Sequence, residues 1–192
     1  TGTYDKNRKF YTTISPSMDI LISSNLERLL YDLSGHDDEL VSWYMKKLAK
    51  TGVYSVNPAI KSKLETYFWA NYCDDEKTKL VIRAVFGKYN YLIDPHTAVA
   101  YDVLNHYRYK TGDTTPAIVA STASPYKFCD SVLDALGEDT RLSGLELIGR
   151  LSEVTGTTPP KPLLELKNKP VRFDKSVKKE YMINVVEDML LK

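Results

Sequence analysis

The sequence predicts a mostly helical α/β protein with few strands, those strands parallel, and three observations carry that expectation. Helix-start signals recur along the first half, where Ser24, Asn57-Pro58, Asp74-Asp75-Glu76 and Asp94-Pro95 each precede apolar residues spaced three or four apart. Ala117-Ile118-Val119-Ala120 is an apolar run with two β-branched residues and no polar interruption, the pattern of a strand buried on both faces in a parallel sheet. Ser124-Pro125 then offers a cap and a first-position proline, and Phe128, Val132, Leu133 and Leu136 share one helical face before Gly137. Residues 117–137 therefore read as strand, turn, helix.

Taken in order, Lys9 to Ile14 is rich in β-formers and ends at Ser15-Pro16, which predicts an early strand over 9–14. Ser24 and Glu27 have capping-box spacing, and Leu26, Leu29, Leu30 and Leu33 continue a helix that stops at Ser34-Gly35. A second helix runs from about Asp37 to Lys50, with Leu40, Val41, Tyr44 and Leu48 on one face and Gly52 as its stop. Asn57-Pro58 opens a helix through Leu64, Phe68 and Tyr72, and Asp74 opens another through Leu80, Ala84 and Val85 to Gly87. Asp94-Pro95 starts a helix carrying Val99, Val103 and Tyr107 to Thr111-Gly112. Gly144 to Val154 reads as helical, and residues 155–162, with three prolines, read as a surface connection. Asp174 begins a terminal helix striped by Val177, Tyr181, Val185 and Leu191. The strands at 9–14 and 117–121 belong to a sheet whose other strands are partly missing, so strand edges and apolar surface should be exposed.

Composition excludes several classes. Of 192 residues, 43% are hydrophobic and 27% charged, enough to bury a core, while a net charge of +1 leaves no electrostatic footprint for nucleic acid or an anionic membrane. Cys73 and Cys129 stand far apart without a Cys/His cluster, which argues against a zinc site or a disulfide framework and for a reducing, cytoplasmic compartment. No apolar run is long enough to span a bilayer. Because position 1 is Thr rather than Met, the chain is expected to start inside a longer protein.

In open α/β sheets, ligands collect outside the carboxyl ends of the strands. Ser121, Thr122 and Ser124 fall there, although hydroxyls at these positions serve equally to satisfy loop backbone. His96, in the first turn of its helix, reads either as a neutral hydrogen-bonding group facing a site or as a backbone cap. Ser15 to Asp19 and Ser24-Asn25 could line the same crevice, or simply cap core elements, and Arg28 lies nearby in sequence.

Ser121-Thr122-Ala123-Ser124-Pro125-Tyr126-Lys127-Phe128 resembles the S-T-A-x-P-x-K-F signature near the C-terminus of threonine synthase, a pyridoxal-phosphate enzyme of the tryptophan-synthase-β type. Ser15-Pro16-Ser17-Met18-Asp19-Ile20 continuing through Ser23 to Leu30, and Asp94-Pro95-His96-Thr97-Ala98-Val99, agree with the same family in the same order. Ser124 departs from it, since many members carry His there. The resemblance runs from Tyr4 onward and covers only the C-terminal part of the family's usual length. It implies a mostly helical C-terminal fragment of a fold-type-II enzyme: residues 1–15 as a sheet strand of the cofactor domain, 16–90 as a helical region, 91–137 completing the cofactor domain, and 138–192 as a helical tail.

The resemblance further implies a lyase of threonine biosynthesis that converts O-phospho-L-homoserine and water to L-threonine and phosphate, with pyridoxal 5'-phosphate as cofactor. The threonine of the signature bonds the pyridine nitrogen in that family, a role that maps onto Thr122. The cofactor lysine and Gly-rich phosphate loop lie N-terminal to the matched part, and the nine glycines here form no such loop. Lys127, in the first turn of a predicted helix, reads as a solvated or ion-paired side chain rather than a catalytic one. Thr122 is thus the single cofactor-binding residue expected, with no catalytic residue and no metal ligand assigned. The fragment alone is expected to be inactive and to need the N-terminal part of the same enzyme as its partner. Two alternatives stay open: a threonine-synthase-like phospholyase giving 2-oxobutyrate, and a non-catalytic helical interaction module.

Overall fold

Side-chain caps set most of the helix starts. In the computed structural model, which describes residues 1–192 apart from Asp139, Phe173 and Lys192, the side chains of Ser23, Asp37, Asn57, Asp74 and Asp94 each accept a backbone N–H two or three residues on. They begin α1 (Ser24–Ser34), α2 (Asp38–Thr51), α3 (Pro58–Tyr67), α4 (Asp75–Tyr89) and α5 (Pro95–Thr111). The cap of α1 is Ser23, one residue before the predicted Ser24, because the Ser23 oxygen reaches the N–H of Leu26. Gly35, Gly52 and Gly112 close α1, α2 and α5 in the left-handed conformation. Two predicted ends move. α4 runs through Gly87 and stops at Asn90, which takes a φ of 51°. A glycine inside a helix costs only about 1 kcal/mol, and Asn90 supplies the left-handed stop three residues later. α3 ends at Tyr67 rather than reaching Tyr72, because Phe68 turns into an extended conformation.

The expected strands over 9–14 and 117–121 do not form, and both stretches run as irregular connections. A strand exists only with a ladder partner, and among the described residues neither stretch has one; Ile118, intended for a buried face, is 99% exposed. The sheet that does form is antiparallel, not parallel: β1 (Thr3–Asp5) pairs with β2 (Val53–Ser55), Tyr4 opposite Tyr54. Three-residue strands are too short to show a period, which is why sequence pattern missed them.

Residues Thr1–Pro159 form one unit. One part of its core gathers Leu30, Val41, Tyr44, Leu48, Tyr54, Val56 and Ile60 from α1, α2, α3 and β2. Tyr54 stacks between Tyr4 and Tyr44, each with centroids at 5.1 Å, and Tyr44 Oη accepts the N–H of Asn57 at 3.0 Å. Burial pushes the Tyr54 phenol up to about 12. α4 packs against α5 and against α6 (Cys129–Leu136), which in turn meets α7 (Glu146–Thr155). Ile82, Val132, Leu133 and Leu151 are fully enclosed there. Arg83 Nε donates to Ala135 O at 2.8 Å and Lys79 pairs with Asp134 at 2.9 Å, tying α4 to the end of α6.

Residues Pro160–Lys192 form a second unit. Within it, α8 (Lys161–Glu165) starts with Pro162 in its first turn, so the predicted connection is shorter than its prolines implied. α9 (Met182–Leu190) starts well after the predicted Asp174. Lys175 and Lys179 would stand one turn apart in a longer helix, where like charges oppose it.

The segment leading to Ser121 is held by Asp113. Its carboxylate accepts the Thr115 N–H at 2.8 Å and the Tyr107 hydroxyl at 2.7 Å, and the Thr115 and Tyr107 donors lower its pKa from 3.8 to about 2. A depressed folded value means that this contribution to stability is present above the ordinary carboxylate range and is lost as pH falls through about 2. In an NMR titration the Thr115 amide should therefore move with a midpoint near 2; a midpoint at the ordinary carboxylate value would remove the clasp.

Candidate functional site

Three stretches far apart in sequence meet in one hydrogen-bonded cluster. The first is the turn at Ser15–Met18, where Met18 N–H bonds back to Ser15 O at 3.0 Å. Asp19 closes this turn by accepting the N–H and hydroxyl of Thr13 at 2.6 and 2.8 Å. Asp75, in the first turn of α4, accepts the N–H of Ile14 at 3.1 Å and so fastens the turn to the helical layer. The second stretch is the start of α5, where buried Asp94 caps the helix. The third is Ser121–Phe128.

Asp94 and its neighbours join them. Asp94 Oδ2 accepts from His96 Nδ1 at 2.8 Å, and His96 Nε2 accepts the N–H of Ser17 at 3.2 Å. The His96 ring also lies against Phe128, with centroids at 4.9 Å. The Thr97 hydroxyl donates to Asp94 Oδ1 and stands 2.9 Å from Ser121 Oγ. His96 thus bonds the capping carboxylate of its own helix through Nδ1 and the backbone of the Ser15–Met18 turn through Nε2.

Thr122 follows Ser121 directly. It is exposed, and among the described residues its hydroxyl makes no hydrogen bond. Ser124 does not start a long helix; its oxygen accepts the Tyr126 N–H at 3.3 Å and caps a single 3-10 turn, Pro125–Lys127, ahead of α6. Tyr126 anchors that turn, its hydroxyl donating to Thr157 O at 2.8 Å. Thr122 therefore sits between two fixed points, the Ser121–Thr97 bond and the Ser124–Tyr126 turn. Lys127 is exposed on the same turn. Cys129 is buried, donates to Tyr126 O at 3.2 Å, and burial pushes its thiol up to about 11, which leaves it inert.

Asn25 and Arg28 take no part in these bonds. They bond to each other on α1, and Arg28 lines an open groove of about 750 Å³ between α1 and α2. The residues that sequence reasoning missed are Asp94 as a hub and Thr97 as its link to Ser121. Asp94 was legible as a helix cap, but its reach to Ser17 and Ser121 was not, because those contacts span 79 and 24 positions.

Pyridoxal phosphate would need a ring-nitrogen partner, a phosphate cradle and a lysine. Thr122, whose exposed hydroxyl stands between the hydrogen-bonded Ser121 and Ser124, fits the first. The glycines with positive φ at 35, 52, 112, 137 and 156 each end a helix and make no cradle. Among the described residues no group of three His, Cys, Asp or Glu side chains could hold a metal ion, and no helix is long and apolar enough to cross a membrane.

Comparison with known proteins places the chain. The family model described as threonine synthase, C-terminal, matches residues 97–185. Threonine synthase-like 1 of Homo sapiens is 33% identical over 199 residues, covering 100% of this chain and 25% of that protein. Threonine synthase of Saccharomyces cerevisiae is 34% identical over 149 residues, 70% of this chain and 29% of that protein. The chain thus spans about a quarter of the length of these curated relatives. Among solved structures, threonine synthase from yeast superposes with a TM-score of 0.78 at 28% identity, over 100% of this chain and 39% of that one. A PLP-bound threonine synthase from Brucella melitensis gives 0.66 at 36% identity, over 78% and 32%. The chain belongs to the threonine synthase family and corresponds to the C-terminal part of its members.

Proposed function

We propose that this chain is the C-terminal part of a pyridoxal-phosphate-dependent threonine synthase of fold type II, which converts O-phospho-L-homoserine and water to L-threonine and phosphate in the cytoplasm. The observation that supports it most is the convergence of Ser15–Met18, Asp94–Thr97 and Ser121–Phe128 on one cluster beside the exposed Thr122. Residues 1–15 and 91–137 complete the cofactor domain, residues 16–90 form its helical neighbour, and 138–192 the tail. The N-terminal part of the same enzyme contributes the lysine and the phosphate loop.

The cofactor, when bound, serves as the electron sink for proton removal at Cα and Cβ, γ-elimination of phosphate and addition of water at Cβ. The part that falls to this chain is electrostatic. Thr122 donates a neutral hydrogen bond to the pyridine nitrogen, which leaves that nitrogen unprotonated where a carboxylate would hold a proton on it. Ser121 and the Ser124 turn keep the Thr122 backbone in place, and the cap at Asp94 holds Ser121.

Product analysis of the intact enzyme with O-phosphohomoserine tests the proposal. Threonine and inorganic phosphate in equal amounts are expected. Release of 2-oxobutyrate in place of threonine would instead assign a phospholyase built on the same cofactor site.

A further inference from the structure

The Asp94 carboxylate accepts more hydrogen bonds than a helix cap needs. It is fully buried. Oδ1 takes the N–H of Thr97 at 3.2 Å and the Thr97 hydroxyl; Oδ2 takes the N–H of His96 at 3.0 Å and His96 Nδ1 at 2.8 Å. Counting donors then fixes the direction of every proton in the cluster. A carboxylate only accepts, so Nδ1 carries the imidazole proton, and a neutral ring keeps Nε2 as an acceptor. That is the atom facing the Ser17 N–H at 3.2 Å. Thr97 has one hydroxyl proton, committed to Asp94, so across the 2.9 Å contact Ser121 must supply its own proton to Thr97.

We propose that Asp94 is a positioning residue that holds His96 as its Nδ1–H tautomer, thereby seats the Ser15–Met18 turn, and points the Ser121 hydroxyl proton inward. Two adjacent hydroxyls then differ in kind. Ser121 has only lone pairs left to offer, whereas Thr122 keeps its proton to donate. Resting on the cofactor-site reading above, a ligand group that meets Ser121 must itself be a hydrogen-bond donor, such as an ammonium or a hydroxyl. The tautomer assignment stands apart from that reading.

The test is long-range ¹H–¹⁵N NMR on the 192-residue chain, in which exposed His36 and His106 serve as internal references, combined with amide exchange. The wild type should show His96 as the Nδ1–H tautomer with a protected Ser17 amide. Asp94→Asn offers one carbonyl where two oxygens had served four donors, so one arm must release. Either His96 switches to Nε2–H and the Ser17 amide loses protection, or the Thr97 amide does, by roughly 10- to 100-fold. Thr97→Val should remove the hydroxyl's bonds to Asp94 Oδ1 and to Ser121 together, and leave His96 and Ser17, which hang on Oδ2, unchanged. A wild-type His96 in the Nε2–H form overturns the proposal even where Asp94→Asn fails to fold. So does an Asp94→Asn chain with the tautomer and both amides unchanged. Absence of threonine synthase activity in the parent enzyme would leave these spectra as they are, so the two proposals fail separately.

Discussion

The intact enzyme carrying Thr122→Val is expected to form threonine roughly 10- to 100-fold more slowly than wild type. Valine keeps the shape of threonine and removes only the hydroxyl, so the ring nitrogen of the bound cofactor is left as a buried acceptor without a donor. That omission costs on the order of 1–3 kcal/mol, and about 1.4 kcal/mol corresponds to a factor of ten in rate. The variant chain itself should fold normally, since Thr122 is exposed and its hydroxyl makes no hydrogen bond among the described residues. Thr122→Asp should behave differently. A carboxylate favours a protonated ring nitrogen and a stronger electron sink, so flux should divert to side products such as those of transamination. The rates of threonine and keto-acid formation in the two variants separate these outcomes. Equal threonine rates in all three proteins would take Thr122 out of the site.

Much of the helical architecture was legible because helix starts are local. An N-cap oxygen reaches N–H groups only two or three residues away, and Asp37, Asn57, Asp74 and Asp94 announce themselves within that span. Helix ends were less legible where two residues compete to stop the chain. Gly87 has the better composition for a stop, but Asn90 reaches the left-handed conformation after the packed face of α4 is complete. Strands are non-local, and sequence pattern records only willingness to pair. The 117–121 run has the residues of a buried strand and ends up with Ile118 almost entirely exposed, whereas short β1 and β2 pair with no pattern at all.

The candidate site divides along the same line. Thr122 was reached through resemblance, and its neighbours Ser121 and Ser124 through their place after an apolar run. The bonds that fix them were hidden, because the Thr97–Ser121 and His96–Ser17 contacts depend on how α5 docks against two loops. Asp94 shows the limit most clearly: the sequence gives its capping role, and only three dimensions give the other two hydrogen-bonded arms.

The most direct test of the central claim, that this chain supplies one edge of a cofactor site completed elsewhere in the enzyme, is to assay the isolated 192-residue chain with pyridoxal phosphate and O-phosphohomoserine. Threonine formation would be measured alongside covalent trapping of the cofactor by borohydride. The account predicts no turnover and no stoichiometric, site-specific adduct, because it assigns the lysine and the phosphate cradle to the N-terminal part of the enzyme. Threonine formation by the purified chain, or a one-to-one adduct on one of its own lysines, would contradict it.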